Sequence, residues 1–361
     1  MSPFRPTPAR LLHVDALKAL AAQLIVLHHL SAYGPIADAV HALLPGLIEG
    51  LYRHGRLAVQ VFLVVGGFLS ARALSRQGLL LEGAPPELLL RRYLRLVLPF
   101  MAAVGLTLAC GALVRPWLPD LVPESVSVPQ LLSHALLLQG VLGMGALTAG
   151  AWYVAVDFQL FALLVLLLWL ARSLKAPRSW RVFVGPWLVL GLAAASLGLF
   201  NRYPGLDDWG LYFFGAYGLG ALVHWVMVSR HPRGYLLLVS AIGLAALAIE
   251  WRERVAVALV TAWLLALLQA RHQRDASWRL PRLCGELGTH SYSLFLIHYP
   301  VCLLVNALFE QQGMSSPVAG LAMMALAWGL ANLASLPFHR FIEAPASRLR
   351  LGQMLAGVQR A

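Results

Sequence analysis

Charge is what this chain has least of. Only 12 % of its 361 residues are Asp, Glu, Lys or Arg, about half the share of a soluble domain. A water-facing globular surface is thereby excluded, and 59 % hydrophobic residues with a mean hydropathy of +0.71 point to a polytopic membrane protein. Cysteine is nearly missing as well. Cys110, Cys284 and Cys302 lie in or beside apolar runs at unrelated spacings, which indicates neither a disulfide framework nor a metal site. Acidic residues number 16 against 28 basic ones. The resulting net charge of +12 does not mark a nucleic-acid binder, because the cations sit in short loops between apolar runs, as membrane topology requires. Arginine strongly outweighs lysine, a usage that high-GC coding bias would produce.

What is present is a succession of apolar segments. Ten spans are expected, at roughly 13–33, 57–74, 94–114, 151–170, 182–199, 210–228, 234–250, 255–270, 286–309 and 317–337. Twenty-one loop and terminal cations then fall on the side of the N-terminus and six on the other, placing both termini in the cytoplasm. Arg5 and Arg10 precede the first run, as in a signal peptide, but no small-x-small cleavage site follows and the run is long enough to span, so it reads as a retained helix. Residues 130–147 are apolar yet interrupted by Ser133, His134, Gln139 and several glycines. They read as a re-entrant or interfacial helix on the outer side. The fold class expected is all-α: one helical membrane domain over 1–361, without repeats or an appended soluble domain.

The first span carries the residues around which the others are arranged. HVDALKALAAQLIVLHHLSAY holds Asp15 and Lys18 at one end and His28 and His29 at the other. An ionisable group at the centre of a spanning helix costs about 2.5–3.5 kcal/mol on insertion scales, so it faces protein or a wet cavity and carries function. Lys18 and His29 fall within about 20° of each other around the helix and roughly 16 Å apart along it. The plain reading is a snorkelling lysine and interhelical hydrogen bonds.

Four further stretches could carry chemistry. RRYLRLVLP brings Arg91, Arg92 and Arg95 to the cytoplasmic mouth of the third span, where guanidinium forks suit phosphate oxygens; simple positive-inside anchoring is the plain alternative. AWYVAVDFQLF puts Asp157 inside an apolar span, where a carboxylate needs a partner. His28, His29 and His298 are candidates, since a carboxylate orients an imidazole. THSYSLFLIHYPV supplies His290, Ser291, Tyr292, Ser293 and His298. PFHRFIEAPASR ends the last span with Glu343, expected to cap the chain's exit and to pair with one of the three arginines.

Together these stretches resemble the integral-membrane acyltransferase-3 family. Its opening helix has an Asp, then an Arg, then a His after ten intervening residues; Asp15, Lys18 and His29 stand there. Phe62, Gly66, Gly67 and Phe68 match its second helix, and Arg91, Arg92, Arg95 and Pro99 its arginine-rich segment. Trp152, Tyr153, Asp157 and Phe161 match a Trp-aromatic segment. Ser291, Tyr292, Ser293, Leu296, Ile297, His298 and Pro300 match its Ser-Tyr-Ser and Leu-Ile-His-aromatic-Pro segment, and Ile342, Glu343 and Pro345 its close. The chain departs from the pattern with Lys18 for Arg, Gly66 for Ser, Asp157 for Glu and Phe161 for Tyr.

The resemblance implies an O-acyltransferase of the bacterial inner membrane. It would move an acyl group, acetyl first among them, from cytoplasmic acyl-CoA to a hydroxyl of an exported or cell-envelope polysaccharide, beside other polysaccharide-synthesis or export subunits. It implies His29, Asp157 and His298 as catalytic residues and Lys18, Arg91, Arg92 and Arg95 as the CoA site. Asp15, His28, Trp152, Ser291, Tyr292 and Glu343 would support them, and no metal or nucleic acid is involved. A transporter or flippase, and a non-catalytic subunit of an export complex, are the rival classes. The first requires inverted repeats, and the sequence shows no such symmetry.

Overall fold

A computed structural model describes residues 11–75, 80–174, 177–275 and 282–348. Of the cations counted above, Arg5, Arg10, Arg76, Lys175, Arg279, Arg350 and Arg360 lie outside the described residues. The described chain is helical without a strand. It runs as α1 (Leu12–Ala32), α2 (Pro35–Leu43), α3 (Pro45–His54), α4 (Ala58–Leu74), α5 (Pro85–Val114), α6 (Val128–Ala135), α7 (Ala151–Ser173) and α8 (Arg178–Gly198). It continues as α9 (Gly210–Met227), α10 (Pro232–Ile249), α11 (Glu253–Arg274), α12 (Arg282–Thr289), α13 (Ser291–Gln311), α14 (Pro317–Phe338) and α15 (Ala344–Arg348). Among the described residues nine helices are long and apolar enough to cross a membrane, or ten when the bent pair α1–α2 counts as one span.

Proline opens many of these helices: Pro35, Pro45, Pro85, Pro232 and Pro317 occupy the first turn, where a missing N–H costs no bond and φ is already helical. This local chemistry starts α5 nine residues before the expected 94 and makes it 30 residues long, about 45 Å. Arg91, Arg92 and Arg95 therefore lie within a helix.

The closest packing joins α4 and α9. A Cβ on Gly67 would lie 1.8 Å from the Tyr217 carbonyl oxygen, and one on Gly220 would lie 1.8 Å from that of Val64. Each glycine thus admits the partner's backbone, as small residues do where membrane helices pack. Tyr217, completely buried, donates its hydroxyl hydrogen to Ser70 Oγ at 2.8 Å across this seam.

Three segments differ from the sequence expectation. The 130–147 stretch is helical only in α6; Ser127 caps its N-terminus through Gln130 N at 3.2 Å. Leu137 (φ +57°) and Gly143 (φ +65°) then turn the chain back on itself. The span expected at 286–309 breaks at His290, between α12 and α13. The last span continues past 337 through a π-helical turn, His339–Glu343, into α15.

Candidate active site

The end of α1 fixes the site. Tyr33 is extended, Gly34 takes φ +84°, and α2 leaves at 92° to α1. Asn306 of α13 holds this break: its Oδ1 accepts the Ile36 N–H at 3.1 Å and fills the space where a Gly34 side chain would stand. Tyr33 is thereby laid over His29, the rings 5.5 Å apart and 10° from parallel. On His29's other side lies His298 of α13, at 4.8 Å and 25°. Tyr299 meets Tyr33 edge-on at 5.4 Å and donates its hydroxyl hydrogen to Leu121 O at 3.0 Å. His28, 5.0 Å from His29, donates from Nδ1 to Leu51 O at 3.2 Å.

Two nitrogens in this column stand out. His298 Nδ1 lies 2.7 Å from Phe295 O. A carbonyl only accepts, so Nδ1 carries the proton and Nε2 of the neutral ring is left as a lone pair. His298 Nε2 and His29 Nδ1 are both buried without a hydrogen-bond partner among the described residues. Each such group costs about 1–3 kcal/mol, a cost that buried polar groups normally escape.

His29 lines a cavity of about 660 Å³, within the size range of small-ligand pockets. His298 is buried behind it, outside the cavity wall. The end of α5 from Thr107 onward, with Arg115 just after it, forms one wall, and the α5–α6 and α6–α7 connections close over it. Thr107 Oγ1 donates to Thr148 Oγ1 at 3.1 Å. His134 folds the second connection: Nδ1 donates to Gln130 O at 2.8 Å, so Nε2 accepts the Leu147 N–H at 3.1 Å. Burial lowers the pKa of His134 below its ordinary 6.5 and favours the neutral ring this geometry needs. Trp152, 38 % exposed, lines the cavity and stacks on Phe213 at 5.4 Å.

The arginines occupy the other end of α5; Arg95 and Thr107 are twelve residues apart, about 18 Å along the helix. The expected trio is divided. Arg91 is exposed and pairs with Glu87 one turn away. Arg92 turns inward to Asp157, Nη2 to Oδ2 at 2.5 Å, with its guanidinium over Phe161 at 5.3 Å. Arg95 is exposed and makes no hydrogen bond or ion pair among the described residues; the charges of Arg92, Glu343 and Asp157 act on it at longer range.

Two pairings, those of Asp157 and Glu343, differ from expectation, and Lys18, for which no partner was named, has one. The partner of Asp157 is Arg92 and not a histidine, because α5 and α7 pack together with these side chains facing. Lys18 binds Asp15 at 2.9 Å, one turn away, where Gly288 of α12 packs against the Asp15 backbone. Glu343 accepts hydrogen bonds from Ser293 Oγ at 2.5 Å and His339 Nδ1 at 3.0 Å, in place of a direct arginine pair. The π turn sets Glu343 one helical turn from His339 and aims it at α13. Ser291 Oγ donates to Gly288 O at 2.9 Å in the α12–α13 turn, and the Tyr292 hydroxyl donates to Leu96 O at 3.0 Å, tying α13 to α5.

Tyr33, Tyr299, Thr107, Arg56 and Arg115 enter the site without having been singled out in the sequence. Tyr33 stands four residues after His29, the spacing at which helical neighbours meet, and Tyr299 fills the aromatic position of the Leu-Ile-His-aromatic-Pro segment, so a signal for each was present. Nothing in the sequence pointed to Thr107, Arg56 or Arg115.

The acyltransferase domain family model matches residues 11–335. No curated protein and no solved structure matches the chain. With an apolar bundle and a family match over most of its length, this chain belongs to the acyltransferase-3 family and is an integral-membrane acyltransferase.

Proposed function

We propose that the protein transfers an acyl group, acetyl first among candidates, from acyl-CoA to a hydroxyl of an exported or cell-envelope glycan, in a bacterial inner membrane. The observation that carries this reading is His29, on a cavity wall with a buried nitrogen that has no hydrogen-bond partner among the described residues. A transporter or a non-catalytic subunit gives no reason to leave an imidazole in that state.

The excess of cations on the N-terminal side supports a cytoplasmic arginine end of α5, and in this reading the cavity, at the other end of that helix, faces the outer side. Acyl-CoA binds from the cytoplasm with its phosphates on Arg95, whose guanidinium is free of hydrogen bonds and ion pairs among the described residues. Arg91, held by Glu87, contributes less. Arg92 and Asp157 neutralise each other and position α5 against α7. The acceptor sugar enters the cavity from the other side, where Trp152 offers an aromatic face.

His29 acts as general base. It takes the proton of the acceptor hydroxyl as that oxygen bonds to the thioester carbonyl carbon. The carbon–sulfur bond then breaks, and the imidazolium returns the proton to the departing CoA thiolate. His298 and Tyr33 hold the ring between them. Asn306 fixes Tyr33 through the α1–α2 break.

The test uses protein in nanodiscs with acetyl-CoA, following free CoA. Slow CoA release in the wild type and its loss in His29→Ala, with both proteins monodisperse, is the expected result. Equal release from the two would remove His29 from the mechanism.

A further inference from the structure

The six arginines at the cavity end of the bundle are not used alike. Arg53 pairs with Glu49 at 4.0 Å and Arg202 with Glu250 at 2.8 Å. Arg252 donates to Asn201 Oδ1 at 2.8 Å, and Arg254 to the Tyr212 hydroxyl. Only Arg56 and Arg115 lack a side-chain partner among the described residues, and these two line the cavity that holds His29. They come from unrelated elements, the 3-10 turn Gly55–Leu57 and the residue following α5. Arg115 donates to the backbone carbonyl of Pro123 at 2.6 Å, which fixes its side chain at the wall.

One carboxylate, Glu124, also lines the cavity and forms no ion pair with either arginine. The remaining titratable lining groups are His28, His29, Tyr33 and Tyr299. The charged lining therefore carries one net positive charge beside an aromatic face. Two guanidiniums on the wall of one space, exceeding its single carboxylate, present forked donors to a carboxylate or phosphate.

We propose that the acceptor is anionic: a sugar bearing a carboxylate, of the uronic-acid type, bound through Arg56 and Arg115 with its reacting hydroxyl toward His29. The inference rests on the acyl-transfer reading for the role of His29, while the charge preference of the cavity can be measured without turnover.

Glucuronate and its neutral methyl ester differ in the charge in question and by one methyl group. Their binding to the protein in zwitterionic nanodiscs is measured by saturation-transfer NMR, without acyl-CoA. We expect glucuronate to bind about tenfold more tightly than the ester. The gap should shrink to less than about twofold in Arg56→Gln/Arg115→Gln and at high salt. Arg56→Gln alone, at an exposed and unpartnered position, keeps the fold and shows a partial loss; Arg53→Gln, outside the cavity, shows none.

Equal binding of acid and ester, or no detectable binding of either, overturns the proposal. So does loss of glucuronate binding when phosphatidylglycerol replaces part of the zwitterionic lipid, since the arginines would then be serving lipid headgroups. Absence of CoA release from wild-type protein that still prefers glucuronate would sink the transfer reading and leave the anion site standing.

Discussion

The imidazole of His29 stacks on that of His298 with centroids 4.8 Å apart, and each ring buries a nitrogen with no hydrogen-bond partner among the described residues. One ring faces the cavity and the other stands behind it, so the two replacements should differ. His29→Ala removes the base, a loss of about 10²–10⁴-fold in CoA release. His298→Ala removes only the support and should retain measurable turnover. Equal residual rates for the two would show that the rings act as one unit.

The Arg92–Asp157 pair gives a stability prediction. Asp157→Asn leaves a buried guanidinium without its counter-charge and should destabilise the protein by about 3–5 kcal/mol. The double replacement Arg92→Met/Asp157→Leu removes both charges and should recover much of that loss. Thermal unfolding in detergent measures both. Full stability of Asp157→Asn with lost turnover would instead give Asp157 a direct role in the reaction.

Arg91 and Arg95 sit one turn apart on α5 but should respond differently to replacement. The exposed Arg91–Glu87 pair is of a kind worth about 0–1 kcal/mol, so Arg91→Ala should change the KM for acyl-CoA less than twofold. Arg95→Ala should raise it about tenfold or more, with kcat little altered. Similar effects at the two positions would argue for a diffuse cationic surface at this end.

His134 predicts a pH dependence. Its pKa is depressed in the folded state, so the unfolded chain takes up the proton first. Stability should be fully present above about 6.5 and should fall as the pH drops through the unfolded value toward the folded one. Protonation would also cost the Leu147 N–H its acceptor. Melting temperatures between pH 7.5 and 5 in wild type and His134→Gln test this; parallel curves would show that another group sets the slope.

The α4–α9 seam should tolerate no side chain at its glycines. Gly67→Ala places a methyl group within bonding distance of the Tyr217 carbonyl and should cost more than the roughly 1–3 kcal/mol typical of overpacking. Gly105→Ala, with nothing within 4 Å, should instead stabilise α5 by a fraction of a kcal/mol. The yield of monodisperse protein separates the two.

The sequence by itself determined the all-α membrane class. A run of apolar residues long enough for a bilayer can satisfy its backbone there only as a helix, and that information is local. The same holds for the initiating prolines and for the residues that carry the family resemblance. Side-chain pairing is not local. Asp157 is 65 residues from Arg92 and Ser293 is 50 from Glu343, and the sequence alone pointed Asp157 to a histidine and Glu343 to an arginine. Tertiary packing decided otherwise, by turning α5 toward α7 and by setting Glu343 on a π turn against α13. It also separated three arginines that share five residues of sequence into one exposed pair, one inward-facing pair and one guanidinium free of hydrogen bonds and ion pairs among the described residues. In an apolar interior each charge must be matched within a few ångströms. Which charges meet is fixed by how the helices are rotated against one another, and spacing along one chain does not contain that rotation.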